Sequence, residues 1–536
     1  MGSKLRLDFV ALGVFSLIFF ISSSILIWQN ATTFNSPDEN ANAIFAHQFA
    51  VSSKLWFDEQ LNFELNNLLH PRSVMAISGR LLPVSFLGMP MIYGLIGKVF
   101  GLPIVGLVTP LLAIAAVFAW RSIVERLFDS RSLAFLSALA VLFHPSFWYY
   151  SGRLFMHNVP FVSFLILAVY FAIRHRHRNC SITQLLNYFL SGLFLALALW
   201  FRTSEVIWVA PLALFLLITA RRYLKIGVLV IPFTAIVLLS PMLYMNSVLY
   251  GGIFEMGYTA SKEAIQSEIS NIEPSTTASL QSTILNSQLP FDIAPSAILK
   301  NIYHYAFELY PWLSITTILG ALIMIGRRAS FLYLIVTIFV TAWLFVFYGS
   351  WSFHDNPDPS LVTIGTSYVR YWLPVFVLWS PFVAQFLVWF ADRMKTTFTR
   401  RAMLGFTSLL LMSLSVRPVF FAEDGLVPIR ESVAVFAVKR ARILELTAER
   451  AIIIVDRADK FVWPYRRVVQ PLRSETTYDA LPTLVAQADL YYFGISLPSL
   501  DLDYLNNEKL AIMNLKIEFI EQIGDESLYR ISSISS

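Results

Sequence analysis

Two adjacent carboxylates, Asp38 and Glu39, follow the first long apolar run of the chain, residues 9–28. About 20 apolar residues suffice to cross a bilayer, so the pair sits at the mouth of a membrane span. Pro37 stiffens the approach to it. A carboxylate placed there suits general-base work on a hydroxyl, although an interfacial acidic pair that is merely solvated is the plainer alternative. Arginines recur at other span mouths. Arg370 and Tyr371 stand in an aromatic stretch entering a late span. Arg153, His157 and Asn158 occupy a turn between two spans, and Arg202 and Glu205 lie three residues apart at another. His354 and Asp355 follow Trp351. The guanidinium fork grips phosphate oxygens. The plainer alternatives are a snorkelling anchor for Arg370, mutual neutralisation for Arg202 and Glu205, and a structural His354–Asp355 pair.

Together, one base and a cationic clamp suit glycosyl transfer from a lipid-phosphate sugar. Its leaving group is already an ionised phosphate, which needs charge stabilisation more than a proton. Hydrolysis by two opposed carboxylates would ask for a different arrangement. The histidines lack zinc-site spacing. A divalent metal held by Asp38 and Glu39 stays open.

The elements that must position these residues are membrane helices. The chain has 536 residues, of which 56% are hydrophobic and 14% charged; a soluble chain carries roughly 25% charged residues. Forty-five Phe and thirteen Trp suit lipid-facing helices and interfacial belts. The net charge of +5 falls in short clusters between spans, which reports topology and not nucleic-acid binding. One cysteine, Cys180, excludes an intrachain disulfide. Residues 9–28 run past a usual signal-peptide core and end without a cleavage pattern, which predicts a retained anchor.

Further apolar runs lie at about 102–120, 132–150, 157–173, 185–201, 206–220, 226–249, 308–326, 330–348, 371–391 and 403–421. Residues 81–100 are interrupted by Pro83, Gly88, Pro90, Gly94 and Gly97. If that segment dips without crossing, Lys4 and Arg6 lie inside with the clusters at Arg121/Arg126/Arg131, Arg174/Arg176/Arg178, Arg221/Arg222/Lys225, Arg327/Arg328 and Arg393/Lys395/Arg400/Arg401. If it crosses, all five clusters move outside, against the positive-inside rule. The first solution gives about eleven spans, a cytoplasmic N-terminus and cytoplasmic Cys180. Asp38, Glu39 and the three arginines then share the outer face. The fold expected is a mainly α polytopic membrane protein, residues 1–421, with outer loops at about 30–100, 250–306 and 349–370. Within the first of these, 43–69 suits an amphipathic helix lying in the interface.

A small extracytoplasmic α/β domain is expected at 422–536. Residues 451–455 and 489–493 suit buried strands, 515–523 and 528–531 a hairpin about Gly524 and Asp525, and 430–448 and 499–511 helices. It has no Gly-rich phosphate loop, so no nucleotide is assigned to it.

The pattern resembles the GT-C class of integral-membrane glycosyltransferases, in particular the family 39 group of protein O-mannosyltransferases and bacterial aminoarabinose transferases. The likeness rests on Pro37, Asp38 and Glu39 after the first span, and on residues 88–93, 119–128, 144–153 and 370–374, over roughly 5–395. It implies a polyprenyl-phosphate-linked sugar donor and inverting transfer on the outer face of the plasma (inner) membrane. It also implies Asp38 as base, Glu39 as its acidic neighbour and Arg370 near the carrier phosphate. Many relatives carry an aspartate shortly after the residue matching Arg153, where this chain has His157 and Asn158. The acceptor, whether lipid, glycan or protein, is not indicated. A flippase or transporter of lipid-linked glycans would show ionisable residues deep in its spans or repeated halves, and neither is visible. An O-antigen ligase or polymerase would not be expected to carry the acidic pair.

Overall fold

The computed structural model describes residues 7–27, 33–174, 182–220, 226–260, 293–325, 330–353, 355, 358, 360–469, 471–472 and 474–534. Cys180 and His354 lie outside them. The chain divides into two compact units. One comprises residues 1–28, 106–244 and 266–428; the other comprises 29–105, 245–265 and 429–536.

The first unit is helical. Among the described residues, six helices are long and apolar enough to cross a membrane, or up to eight spans if each of two bent helix pairs counts as one. The bent pairs are Arg131–Leu142 with Pro145–Gly152, and Pro295–Glu308 with Pro311–Met324. Leu7–Ser23, Asn158–Ile173 and Thr203–Leu216 lie where three further crossings are expected and are shorter. Leu373–Ala391 is the most enclosed of the long helices, with 67% of its apolar window buried. It packs closely because its neighbour has no side chain at the contact. A Cβ on Gly320 of helix Pro311–Met324 would stand 1.8 Å from the Phe382 carbonyl oxygen. Small residues let apolar helices approach in this way. Polar side chains close the interior: the Trp120 indole donates to Ser137 and Ser380, whose hydroxyls lie 2.9 Å apart. Arg121, fully buried, is paired with Asp8 and with Glu125 at 2.8 Å, and its guanidinium lies 4.0 Å from the Phe9 ring centre.

The second unit is α/β. Its main sheet has the order β5-β4-β6-β8-β7, from β4 (Ile452–Val455), β5 (Arg467–Val469), β6 (Leu490–Ile495), β7 (Leu515–Ile523) and β8 (Glu526–Ser533). β5, β4 and β6 are parallel, and β8 and β7 are antiparallel. The wholly apolar β4 is buried at every position, as a central parallel strand covered on both faces must be. Much of that cover comes from far away in sequence. Ala41, Phe45, Val74 and Leu81 join Ile453, Val455 and Phe493 in one core. Leu65 and Leu69 join Ile452, Ile454 and Tyr492 in the other. Arg72 clamps the buried Asp459 carboxylate through its backbone N–H at 2.9 Å and its guanidinium Nε at 3.0 Å. At the β7–β8 turn, Gly524 takes a left-handed φ of 71°. Lys439 there reaches Asp525 and Glu526, and its hydrogen bond holds the Asp525 carboxyl below the usual carboxylate range.

Two segments differ from their sequence reading. The helix expected over 43–69 is Pro37–Ser52, ended by Ser53 in a left-handed cap whose N–H reaches the Phe49 carbonyl. The chain then forms β1 (Phe57–Asp58), which joins the small sheet β1-β3-β2 with β2 (Val74–Ile77) and β3 (Arg80–Pro83). Residues 81–100 supply β3 and the helix Gly88–Phe100. At ~1.5 Å per residue that helix reaches about 20 Å, short of the ~30 Å hydrocarbon layer.

Candidate active site

In the second unit, Asp38 and Glu39 lie in the first turn of helix Pro37–Ser52 and have separate tasks. Ser36 caps the helix: its hydroxyl accepts from the Glu39 N–H at 3.2 Å, and the Glu39 carboxylate accepts from the Ser36 N–H at 3.3 Å. This reciprocal box satisfies two helix-end donors, and it keeps the Glu39 side chain buried. Asp38 is half-buried and accepts a hydrogen bond of 2.6 Å from the Ser73 hydroxyl, on the loop before β2. A helix N-terminus favours negative charge, so the position suits an anionic base. Behind the pair, Asn40 donates to the Trp463 carbonyl, and Asn42 accepts from the Ser85 hydroxyl at 2.6 Å.

In the first unit, the arginines named from sequence fall into one neighbourhood. His144 caps helix Pro145–Gly152 through its ring nitrogen, and Pro145 occupies the first turn. Close packing at Gly152, where a Cβ would stand 2.8 Å from Leu426, brings the chain round to Arg153. Arg153 is buried and donates to the Tyr149 hydroxyl at 2.7 Å. The next residue, Tyr150, donates to the Thr366 carbonyl at 2.9 Å and so fixes the entry to helix Ser367–Tyr371. Asp355 caps that helix, accepting from the Ser367 N–H at 2.6 Å and its hydroxyl at 3.0 Å. Arg370 then contacts the Ser367 hydroxyl at 2.8 Å and the Met156 sulfur at 3.2 Å.

The Tyr371 ring joins two of the arginines. The Arg370 guanidinium lies 5.1 Å from its centre and that of Arg202 4.5 Å, while Tyr348 stacks on it at 4.4 Å. Such contacts are cation–π geometry. Arg202 is also engaged by a carboxylate. It donates to Glu205 at 2.9 Å and to the Tyr348 hydroxyl at 2.7 Å, Tyr348 donates to Glu205, and Trp208 donates to the other Glu205 oxygen. The mutual neutralisation read from the i,i+3 spacing is thus present, inside a larger buried network. His157 and Asn158 are buried at the start of helix Asn158–Ile173, with the His157 ring edge-on to Phe201.

Sequence reasoning did not name Ser36, Ser73, Tyr149, Met156, Tyr348 or Trp208. The spacing of Ser36 to Glu39 is a visible capping signature, and Trp208 lies three residues beyond Glu205. Nothing local marks the other four. Among the described residues no three His, Cys, Asp or Glu side chains gather as a metal site.

Residues 83–245 match the family model described as dolichyl-phosphate-mannose-protein mannosyltransferase. The chain is similar to ArnT from Cupriavidus metallidurans bound to undecaprenyl phosphate, with 12% identity over 97% of each chain and a TM-score of 0.57. For the apo state of that protein the figures are 12% identity, 96% of this chain and 97% of the other, and 0.55. The apo Archaeoglobus fulgidus oligosaccharyltransferase gives 11% identity over 95% of this chain and 71% of its own, with a TM-score of 0.53. No curated protein sequence matches. The GT-C resemblance read from the sequence is therefore supported from two sides, a sequence match over 83–245 and a shared fold over nearly the whole chain. Its apolar helices make it a multi-pass membrane protein.

Proposed function

We propose that the protein is a glycosyltransferase of the inner membrane that moves a sugar from a polyprenyl-phosphate carrier to an acceptor hydroxyl on the outer face. The family match over 83–245 and the undecaprenyl phosphate held by the similarly folded ArnT support the donor class. The observation that carries the assignment of roles is the divided acidic pair. Glu39 is committed to its helix cap, whereas Asp38 is held by a hydroxyl at a helix N-terminus. In the reaction, the acceptor oxygen attacks the anomeric carbon opposite the phosphate. The bond from that carbon to the phosphate oxygen breaks, its electron pair leaves with the carrier phosphate, and the hydroxyl proton passes to Asp38. The anomeric configuration inverts. The carrier gains a negative charge as it leaves, and Arg370 and Arg153 offset it. Arg202 supports this through the Tyr371 ring, and Tyr371, His157 and Asn158 line the substrate side. The acceptor is a lipid, glycan or protein.

The test is Asp38→Asn, with transfer read by mass spectrometry of surface glycans and lipids from cells that carry the variant or the native chain. General-base loss costs roughly 10²–10⁴-fold, so the product should disappear while the variant still accumulates, folded, in membranes. Native-like product from Asp38→Asn would remove the base assignment.

A further inference from the structure

The second unit contains a cavity of about 610 Å³ that the transfer reaction does not use. It opens at the carboxyl ends of the parallel strands. Asp456 and Arg457 follow β4 directly, and Ile495 and Leu497 end or follow β6. The chain leaves β4 for β5 on one side and returns to β6 on the other. The cavity therefore lies at a switch point of strand order, where open α/β sheets leave a crevice for ligands.

Its walls have a definite chemistry. Tyr478, Tyr492 and Tyr504 supply aromatic surface, and three carboxylates (Asp456, Glu475, Glu526) and two cations (Arg457, Lys509) supply charged groups. Tyr492 is seated by stacking on Tyr529 and donates to the Asp456 carboxylate at 3.0 Å. Gly494 makes that seat possible. A Cβ there would stand 2.5 Å from the Tyr492 hydroxyl and 2.7 Å from the Asp456 carboxylate. On the rim, Ile495 and Tyr504 are exposed apolar surface. A phosphate ligand is disfavoured, because carboxylates outnumber cations in the lining and the segment after β4 carries no Gly-rich loop. Aromatic faces beside carboxylate acceptors match a ring compound with an apolar face and hydroxyl or ammonium edges.

We propose that this cavity is a carbohydrate subsite, binding a neutral or amino sugar unit of a glycan. Preferring a sugar to another hydroxylated ring rests on the glycosyltransferase reading. The sugar ring lies against Tyr504, with its hydroxyls donating to Asp456.

The experiment uses the full chain in lipid nanodiscs with three probes: a neutral mannose disaccharide, a glucosamine disaccharide and an acidic glucuronate disaccharide. Saturation-transfer NMR and titration read the binding. The neutral or amino probe should bind and the acidic one should not. Tyr504→Ala, on the exposed rim, and Asp456→Asn should each weaken binding about tenfold. Gly494→Ala should abolish it. Asp38→Asn should leave it unchanged. Absence of binding to the native chain, or binding indifferent to both Tyr504→Ala and Asp456→Asn, overturns the subsite. The two readings fail separately: loss of the glycosyltransferase reading shows as intact binding without turnover, and loss of the subsite as turnover without pocket-dependent binding.

Discussion

Arg121 and Arg370 belong to the same helical unit and are held in opposite ways. Arg121 has no exposed surface, and its guanidinium is engaged by the carboxylates of Asp8 and Glu125 and by the Phe9 ring. Arg370 is half-buried, and its contacts include a hydroxyl, a thioether and an aromatic face. Arg202 combines both patterns, with Glu205 on one side and the Tyr371 ring on the other. A cation matched by carboxylates is a fold element, because removing it strands buried negative charge. Half-buried, Arg370 keeps accessible surface that Arg121 lacks. The same residue type is thus fully enclosed in one place and partly accessible in the other.

That contrast can be broken by substitution. Arg121→Met should have the largest effect, a loss of about 3–5 kcal/mol of stability, seen as a lower thermal midpoint in detergent. Retention of native stability would show that the pairing with Asp8 and Glu125 is dispensable. Arg370→Ala should keep the fold and lower transfer about 10²-fold, measured as initial rate at saturating donor. Arg202→Ala should reduce transfer less than Arg370→Ala and destabilise more, because it strands Glu205. The pair Arg202→Met with Glu205→Gln should recover most of that stability. Equal tolerance of Arg370→Ala and Arg202→Ala in transfer would end the distinction. Tyr371→Leu removes a cation–π contact of about 0.5–2 kcal/mol, so a fall of roughly 2- to 30-fold in transfer is expected, with Tyr371→Phe near native.

The smallest effect belongs to the pair of buried Lys439 and exposed Asp525. The folded carboxyl of Asp525 is held low by its hydrogen bond with Lys439. Its contribution is present above the ordinary carboxylate range and is lost as pH falls through the folded value. Asp525→Asn should therefore flatten the acid limb of a stability-against-pH curve slightly.

The sequence made the residues of the site more legible than their surroundings. Arg153, Arg202 and Arg370 stand out because the positive-inside rule leaves few basic residues at the span ends expected outside, Asp38 because it follows the first apolar run, and the local Arg202–Glu205 pair is visible as i,i+3 spacing. Arg121 is read from sequence as one of a cytoplasmic cluster, since a count of basic residues does not register Asp8, 113 positions away. Ser73 reaches Asp38 across 35 positions, and Tyr348 reaches Glu205 across 143; neither contact has a periodic signature. Strands β4, β6, β7 and β8 occupy segments legible as apolar runs and a Gly-Asp turn. Their cover by residues of 29–105 is not legible, because Phe45, Leu65 and Leu69 look like ordinary loop or interfacial residues until their partners are known. Apolar runs mark the helices well but say little about where each bends.

That cover has a consequence for biosynthesis. Residues 29–105 are made early, yet Phe45, Val74 and Arg72 complete their packing only with Trp463, Ile453 and Asp459. At roughly 5–20 residues per second, synthesis of the intervening chain takes tens of seconds. Throughout that wait the small sheet that carries β2 lacks the main sheet that covers it. The surroundings of Asp38 are therefore finished last, so a ribosome that stalls before residue 450 releases a chain in which Asp38 is present but its surroundings are incomplete.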